Sequence, residues 1–185
     1  MIVNFFKHLH TINKHRFLVF KNCWRCGIRY RGLVHDLSKY SPTEFFAGVK
    51  YYQGYRSPTI EERIERGYSR AWLHHKGRNR HHFEYWSDFS PITNRYEPVK
   101  MPKVFLIEMF CDRIAASKVY MKDKYKDSSP LEYFINKDTD IVMHPETKKE
   151  IKYLLTMLSK KGEKITFKFI KNNRKKESFL KDIDI

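Results

Sequence analysis

No stretch of this sequence approaches the roughly 18–20 consecutive apolar residues that a membrane-spanning helix needs. The start, MIVNFFKHLHTINKHR, turns polar too early for a secretory signal peptide, so the expectation is a cytoplasmic protein with no membrane partner. Cysteine is scarce: Cys23, Cys26 and Cys111 are an odd set that excludes a disulfide framework and suits a reducing compartment. The Cys23-Trp24-Arg25-Cys26 spacing lacks the second CxxC of a zinc ribbon, and helical periodicity runs through it, so these thiols are read as buried in an N-terminal helix. Glycine and proline are equally sparse, at seven each, and no Gly/Ser linker or internal repeat divides the chain. These absences leave one helical unit.

What is present allows a core. Apolar residues make up 41% of the 185 and aromatics 16%, enough to offset the ordering entropy of the chain. The net charge of +16 favours anionic partners: small phosphorylated molecules first, nucleic acid less so, because no recognised DNA- or RNA-binding motif accompanies it. Residues 159–185 hold nine Lys or Arg against four acids, so the division expected is a helical domain over 1–160 and a basic appendage over 161–185.

Periodicity sets the elements. Phe5, His8, Ile12, His15, Val19, Asn22, Cys23 and Cys26 recur at three- and four-residue steps, which predicts a helix over 4–25 with that stripe inward. Gly27 and Gly32 flank a break before a short helical stretch ending near Tyr40. Ser41-Pro42-Thr43-Glu44 has the form of a capping box with proline at the first helical position, and Thr59-Ile60-Glu61-Glu62 repeats the signature ahead of a helix reaching His74 and His75. Residues 87–100, with Pro91 and Pro98, read as a loop, and a strongly periodic helix follows to Tyr120. Further helices are expected over 130–136 and 146–160, with Ile165–Ile170 as the one plausible strand. The fold class expected is all-α, a compact helical bundle.

The chemistry centres on His35-Asp36, where an imidazole and a carboxylate able to bridge two cations stand side by side. Alone the dipeptide is a weak signal. His15 projects from the inward stripe of the first helix, and Asp112 falls on the apolar stripe of Phe105, Met109, Ala116 and Val119, where an isolated carboxylate would be costly to desolvate. Four of the nine histidines, His74, His75, His81 and His82, lie within nine residues of one another. Continuation of the helix would place His75, Asn79 and His82 on one face and His74 with His81 on the next. This nitrogen and oxygen donor set suits one or two divalent ions such as Mn, Fe, Zn or Mg, whose catalytic use is to activate water. Lys39, one turn past Asp36, is placed to hold an anionic oxygen, and Arg16, Arg78 and Arg80 to add positive charge.

The order His15, His35-Asp36, Asp112 resembles the H…HD…D signature of the HD superfamily, and His35-Asp36-Leu37-Ser38-Lys39 is similar to that superfamily's HDxGK stretch with Ser38 in place of Gly. HDLSKYSPTEF, AWLHHKGRNRHHFEYW and EMFCDRIAAS resemble more specifically a small HD-like family of bacteria and phages of unknown function, over most of residues 8–160. The resemblance implies metal-dependent hydrolysis of a phosphoester, often a nucleotide. It implies His15, His35, Asp36, His75, His82 and Asp112 as ligands, with His81 the alternative to His82, and Asp36 and Lys39 as the catalytic pair. Lys39, Arg16, Arg78, Asn79, Arg80 and His81 would face the substrate. The same ligand order occurs in diiron oxygenases, and a basic nucleic-acid- or partner-binding protein with a structural metal is the non-enzymatic alternative.

Overall fold

The computed structural model describes residues 2–136 and 142–180. Among them the chain is nearly all helix: α1 (Ile2–Cys26), α2 (Arg29–Val34), a 3-10 turn (Leu37–Tyr40), α3 (Pro42–Lys50), α4 (Pro58–Arg66), α5 (Arg70–Arg78), α6 (Lys103–Met121), α7 (Ser129–Asn136) and α8 (Pro145–Asn173). The all-α expectation holds. No described helix is long and apolar enough to cross a membrane.

α1 buries the stripe read from its sequence, from His8 through Ile12, His15, Val19, Asn22 and Cys23 to Cys26; Phe5, in the first turns, stays 36% exposed. Its end is a Schellman motif in which Gly27, at φ 79°, lets Gly27 N donate to Trp24 O and Ile28 N to Cys23 O. α2 then folds back so closely that a Cβ on Gly32 would lie 2.8 Å from Cys23 Cβ and 3.0 Å from the Phe20 Cα. This tight reversal places the next turn, with His35 and Asp36, beside α1.

The main core lies between α1, α6 and α8, with Val19, Cys23, Leu106, Phe110, Ile114, Ile151, Leu154 and Leu158 all at 1% exposure or less. α6 is covered on several sides, every residue from Leu106 to Cys111 being buried. The three thiols are buried and free, Cys26 Sγ 3.7 Å from Cys111 Sγ. A smaller cluster, Ile12 with Phe45 and Val49, seals α3 against α1.

Three expectations are corrected. Residues 87–98 form an antiparallel hairpin, β1 (Ser87–Ser90) with β2 (Arg95–Pro98), in which Phe89 pairs with Tyr96 and Asn94 supplies the left-handed turn residue at φ 53°. Pro91 sits in the turn and Pro98 at the strand end, where a missing amide does least harm. Ile165–Ile170 is helical, because α8 continues past a kink at Gly162 and lays Phe167 and Ile170 on the core, overriding strand propensity. Phe167, Ile170 and, beyond the helix, Phe179 all lie in the interior. α5 ends at Arg78, with Asn79 in extended backbone, so His81 and His82 stand beyond the helix and not on its face.

Candidate metal centre

Asp36 is the geometric centre. It takes the left-handed conformation, φ 55° and ψ 27°, which Asp tolerates better than most L-residues, and its side chain is 1% exposed. Arg16 secures the turn from α1, its Nε donating to His35 O at 2.8 Å and its Nη2 to Leu33 O at 3.0 Å, with Nη1 on the Tyr40 hydroxyl.

The two carboxylate oxygens of Asp36 face different partners. Oδ2 lies 3.3 Å from His35 Nε2 and 3.6 Å from His15 Nε2; these imidazoles are 3.4 Å apart, and His15 Nε2 is 3.0 Å from Asp112 Oδ1. Oδ1 lies 3.3 Å from His75 Nε2 and 3.5 Å from His81 Nε2. His82 completes this second group, in which one donor atom of each residue lies within 4.8 Å of the others, as in the group of His15, His35 and Asp112. Donors bound to one ion at about 2.0–2.2 Å stand about 3.0–3.5 Å from each other at tetrahedral or octahedral angles, which is close to the spacing found.

The donors also fit a cation chemically. Neither Asp36 oxygen receives a hydrogen bond of good geometry, though Lys39 Nζ lies 2.6 Å from Oδ2; Nε2 of both His81 and His82 is buried without a hydrogen-bond partner, and His81 Nδ1 meets Glu108 Oε1 at 3.4 Å, short of good hydrogen-bond geometry. Orphaned buried polar atoms are rare and ask for a ligand. Burial lowers the pKa of His82 well below the ordinary histidine value and that of His81 likewise, with the neighbouring imidazoles adding to it, so both present lone pairs at neutral pH. His35 differs: burial disfavours its charge, but the Asp36, Glu108 and Asp112 carboxylates outweigh that and raise it to about 10. Asp36 and Asp112 are held well below the carboxylate range by surrounding imidazoles, and Asp36 by Lys39 too, against the opposing effect of burial. The buried His/Asp cluster is therefore compatible with a divalent metal.

Of the sequence-predicted donors, His15, His35, Asp36, His75, His82 and Asp112 converge here, and His81, read as the alternative to His82, joins them beside Asp36. His74 turns away, its Nδ1 2.7 Å from Glu44 Oε1. Lys39 borders the cluster with a side chain 31% exposed, the most open of the group. The other basic candidates are not gathered: Arg16 is spent on the backbone carbonyls, Arg78 is exposed with Nη1 on His74 O, and Arg80 lies over Tyr85 and Phe105. Asn79 is buried and bonds Ser38 Oγ and His75 O. Two residues were missed. Glu108, fully buried, lies 2.9 Å from His35 Nδ1 and 3.4 Å from His81 Nδ1, and Glu44, read only as a cap, lies 2.7 Å from His75 Nδ1. The signal for Glu108 was present: it precedes Asp112 by four residues, about one turn, and is the only polar residue from Val104 to Cys111.

Fold and site together define a helical protein with a buried nitrogen and oxygen donor cluster. The chain belongs to the family described as "Family of unknown function (DUF5662)", whose model matches residues 4–157, ending inside α8. No curated protein and no solved structure matches it.

Proposed function

We propose that the chain is a metal-dependent phosphoester hydrolase with a two-ion centre, acting on a nucleotide or another small phosphorylated molecule, and that its family is a branch of the HD superfamily. The observation that carries the reading is the division of donors by Asp36: Oδ2 lies beside His15 and His35, which group with Asp112, while Oδ1 lies beside His75 and His81, which group with His82. One carboxylate between two such groups suits a bridging ligand. The order of His15, His35-Asp36 and Asp112 along the chain supports the superfamily assignment.

Divalent ions in such a site lower the pKa of a bound water and neutralise charge developing on a phosphoryl group. The chain's own residues do the rest. His15, His35, His75, His81, His82, Asp36 and Asp112 would hold the ions, and Arg16 fixes the backbone that carries His35. Lys39, pushed upward in pKa by Asp36 and Asp112 against its partial desolvation, stays cationic and, with a side chain 31% exposed, could donate to a phosphoryl oxygen. The net charge of +16 draws anions toward it.

The test is metal analysis of protein purified without chelator, followed by a screen of nucleoside mono- and triphosphates, cyclic nucleotides and simple phosphomonoesters. Two equivalents of metal and turnover of one class are expected, with Lys39→Met retaining metal while losing about 2–4 kcal/mol of transition-state stabilisation. Metal-loaded protein that consumes dioxygen and leaves every phosphoester intact would replace this reading with the oxygenase one.

A further inference from the structure

Three imidazoles that turn Nε2 toward Asp36 turn Nδ1 toward a glutamate. Glu108 Oε1 is 2.9 Å from His35 Nδ1 and 3.4 Å from His81 Nδ1, and Glu44 Oε2 is 2.7 Å from His75 Nδ1. Both glutamates are buried, Glu108 at 0% and Glu44 at 6% exposure. A carboxylate accepts hydrogen bonds only, so it holds a ring proton on Nδ1; in a neutral ring that leaves the Nε2 lone pair free, and in His35, cationic without metal, it leaves the Nε2 proton as the one an ion displaces. Asn79 Nδ2 also lies 3.1 Å from His75 Nδ1, but its two hydrogens go to Ser38 Oγ at 2.7 Å and His75 O at 2.8 Å. Glu108 also lies within ion-binding reach of His35 and His81, but Arg31 Nε stands 2.7 Å from its Oε2, and it meets both rings at Nδ1, the nitrogen turned away from Asp36.

We propose that Glu108 and Glu44 are positioning residues of the metal centre with unequal reach: Glu108 orients a ligand in each half, His35 and His81, whereas Glu44 orients His75 in one half only. The inference rests on the two-ion reading and adds to it a rule for how each half is lost. Such outer carboxylates raise ligand basicity, and removing one costs about 10–100-fold in metal affinity.

The experiment titrates chelator-treated full-length protein with Zn(II) by calorimetry and reads the histidine tautomers by nitrogen NMR. Wild type should take up two equivalents. Glu44→Gln should weaken one equivalent about 10–100-fold and leave the other at its wild-type affinity, whereas Glu108→Gln should weaken both. In metal-free wild type, His75 and His81 should carry their proton on Nδ1, and Glu44→Gln should disturb His75 while leaving His81 alone, a pattern that general destabilisation would not produce. Wild type that binds no zinc would end the metal reading and this inference with it, and a single equivalent would end the division into halves. Two equivalents in wild type with Glu44→Gln unchanged would overturn the inference alone. Should Glu108→Gln fail to fold, wild-type His81 still decides the part of Glu108: protonation on Nε2 overturns it.

Discussion

Asp36 combines two demands that few residues meet, a left-handed backbone and a charged carboxylate in a buried cluster. The two separate by substitution. Asp36→Asn keeps tolerance of positive φ, so its metal-free fold should survive while elemental analysis shows most metal gone. Asp36→Ala should lose the metal and a further 1–2 kcal/mol or so of stability in urea unfolding, because Cβ is strained there without a side chain that suits the turn. Full occupancy in Asp36→Asn would remove the bridging role. Two histidines set opposite pH responses in the metal-free protein. Burial, aided by Lys39, pushes His8 down to about 4, so its contribution is present above pH 6.5 and lost as pH falls from there through 4. His35 is raised to about 10, so its contribution is present below pH 6.5 and lost as pH rises through 10. The urea midpoint of wild type relative to His8→Phe should be highest above pH 7 and fall as pH drops toward 4; parallel curves would show that His8 is not held neutral. At this scale much was legible: His15 and Asp112 stood on inward stripes, and a polar residue on such a stripe must find a partner. Glu44 was legible only by half. Its amide does meet Ser41 Oγ at 3.5 Å, but its carboxylate turns inward to His74 and His75, a tertiary choice that no local spacing encodes.

Elements followed the sequence where one face met one neighbour. α1 was readable because its stripe is buried along most of its length, whereas the hairpin was hidden by prolines that prove harmless at its turn and end. The second part of α8 was hidden by β-branched and aromatic residues whose helical spacing emerges only against its neighbours, where Phe167 meets Phe110 edge-on at 6.0 Å and Arg25 caps its ring at 3.8 Å. That packing has a measurable weight. Phe167→Ala should cost about 3–5 kcal/mol in denaturant unfolding, and a chain ended at Lys160 should lose cooperative unfolding, since it would strip Phe167, Ile170 and Phe179 from the core. A truncated chain as stable as the full one would make these residues the appendage their charge suggests.

For the molecule as a whole, the donors come from α1, the turn after α2, α5 with the segment beyond it, and α6, so an ion would join elements far apart in sequence. Metal binding to the folded state alone should therefore raise the melting temperature, and chelator should lower it in proportion to the affinity lost. Uptake should release protons, at least that of His35, and fall off in mildly acidic buffer. The family match does not foretell this, as it carries no function; the bundle was expected from periodicity, and the centre from residues whose company, more than their individual identity, was informative. The place where α5 stops has one more effect. His81 and His82 lie on backbone tied by few bonds, His82 N to Asn79 O, Tyr85 N to His82 O and the Trp86 indole to Arg80 O, unlike the continuous ladders of α1 and α6 that carry His15 and Asp112. One half of the centre thus draws His15 and Asp112 from stiff scaffolding, while the other, beside His75 on α5, draws two donors from a segment that opens locally at small cost. Amide exchange should register the difference: zinc should slow deuterium uptake across residues 79–86 by far more than around His15 or Asp112, so that the looser half gains its order from the ion it holds.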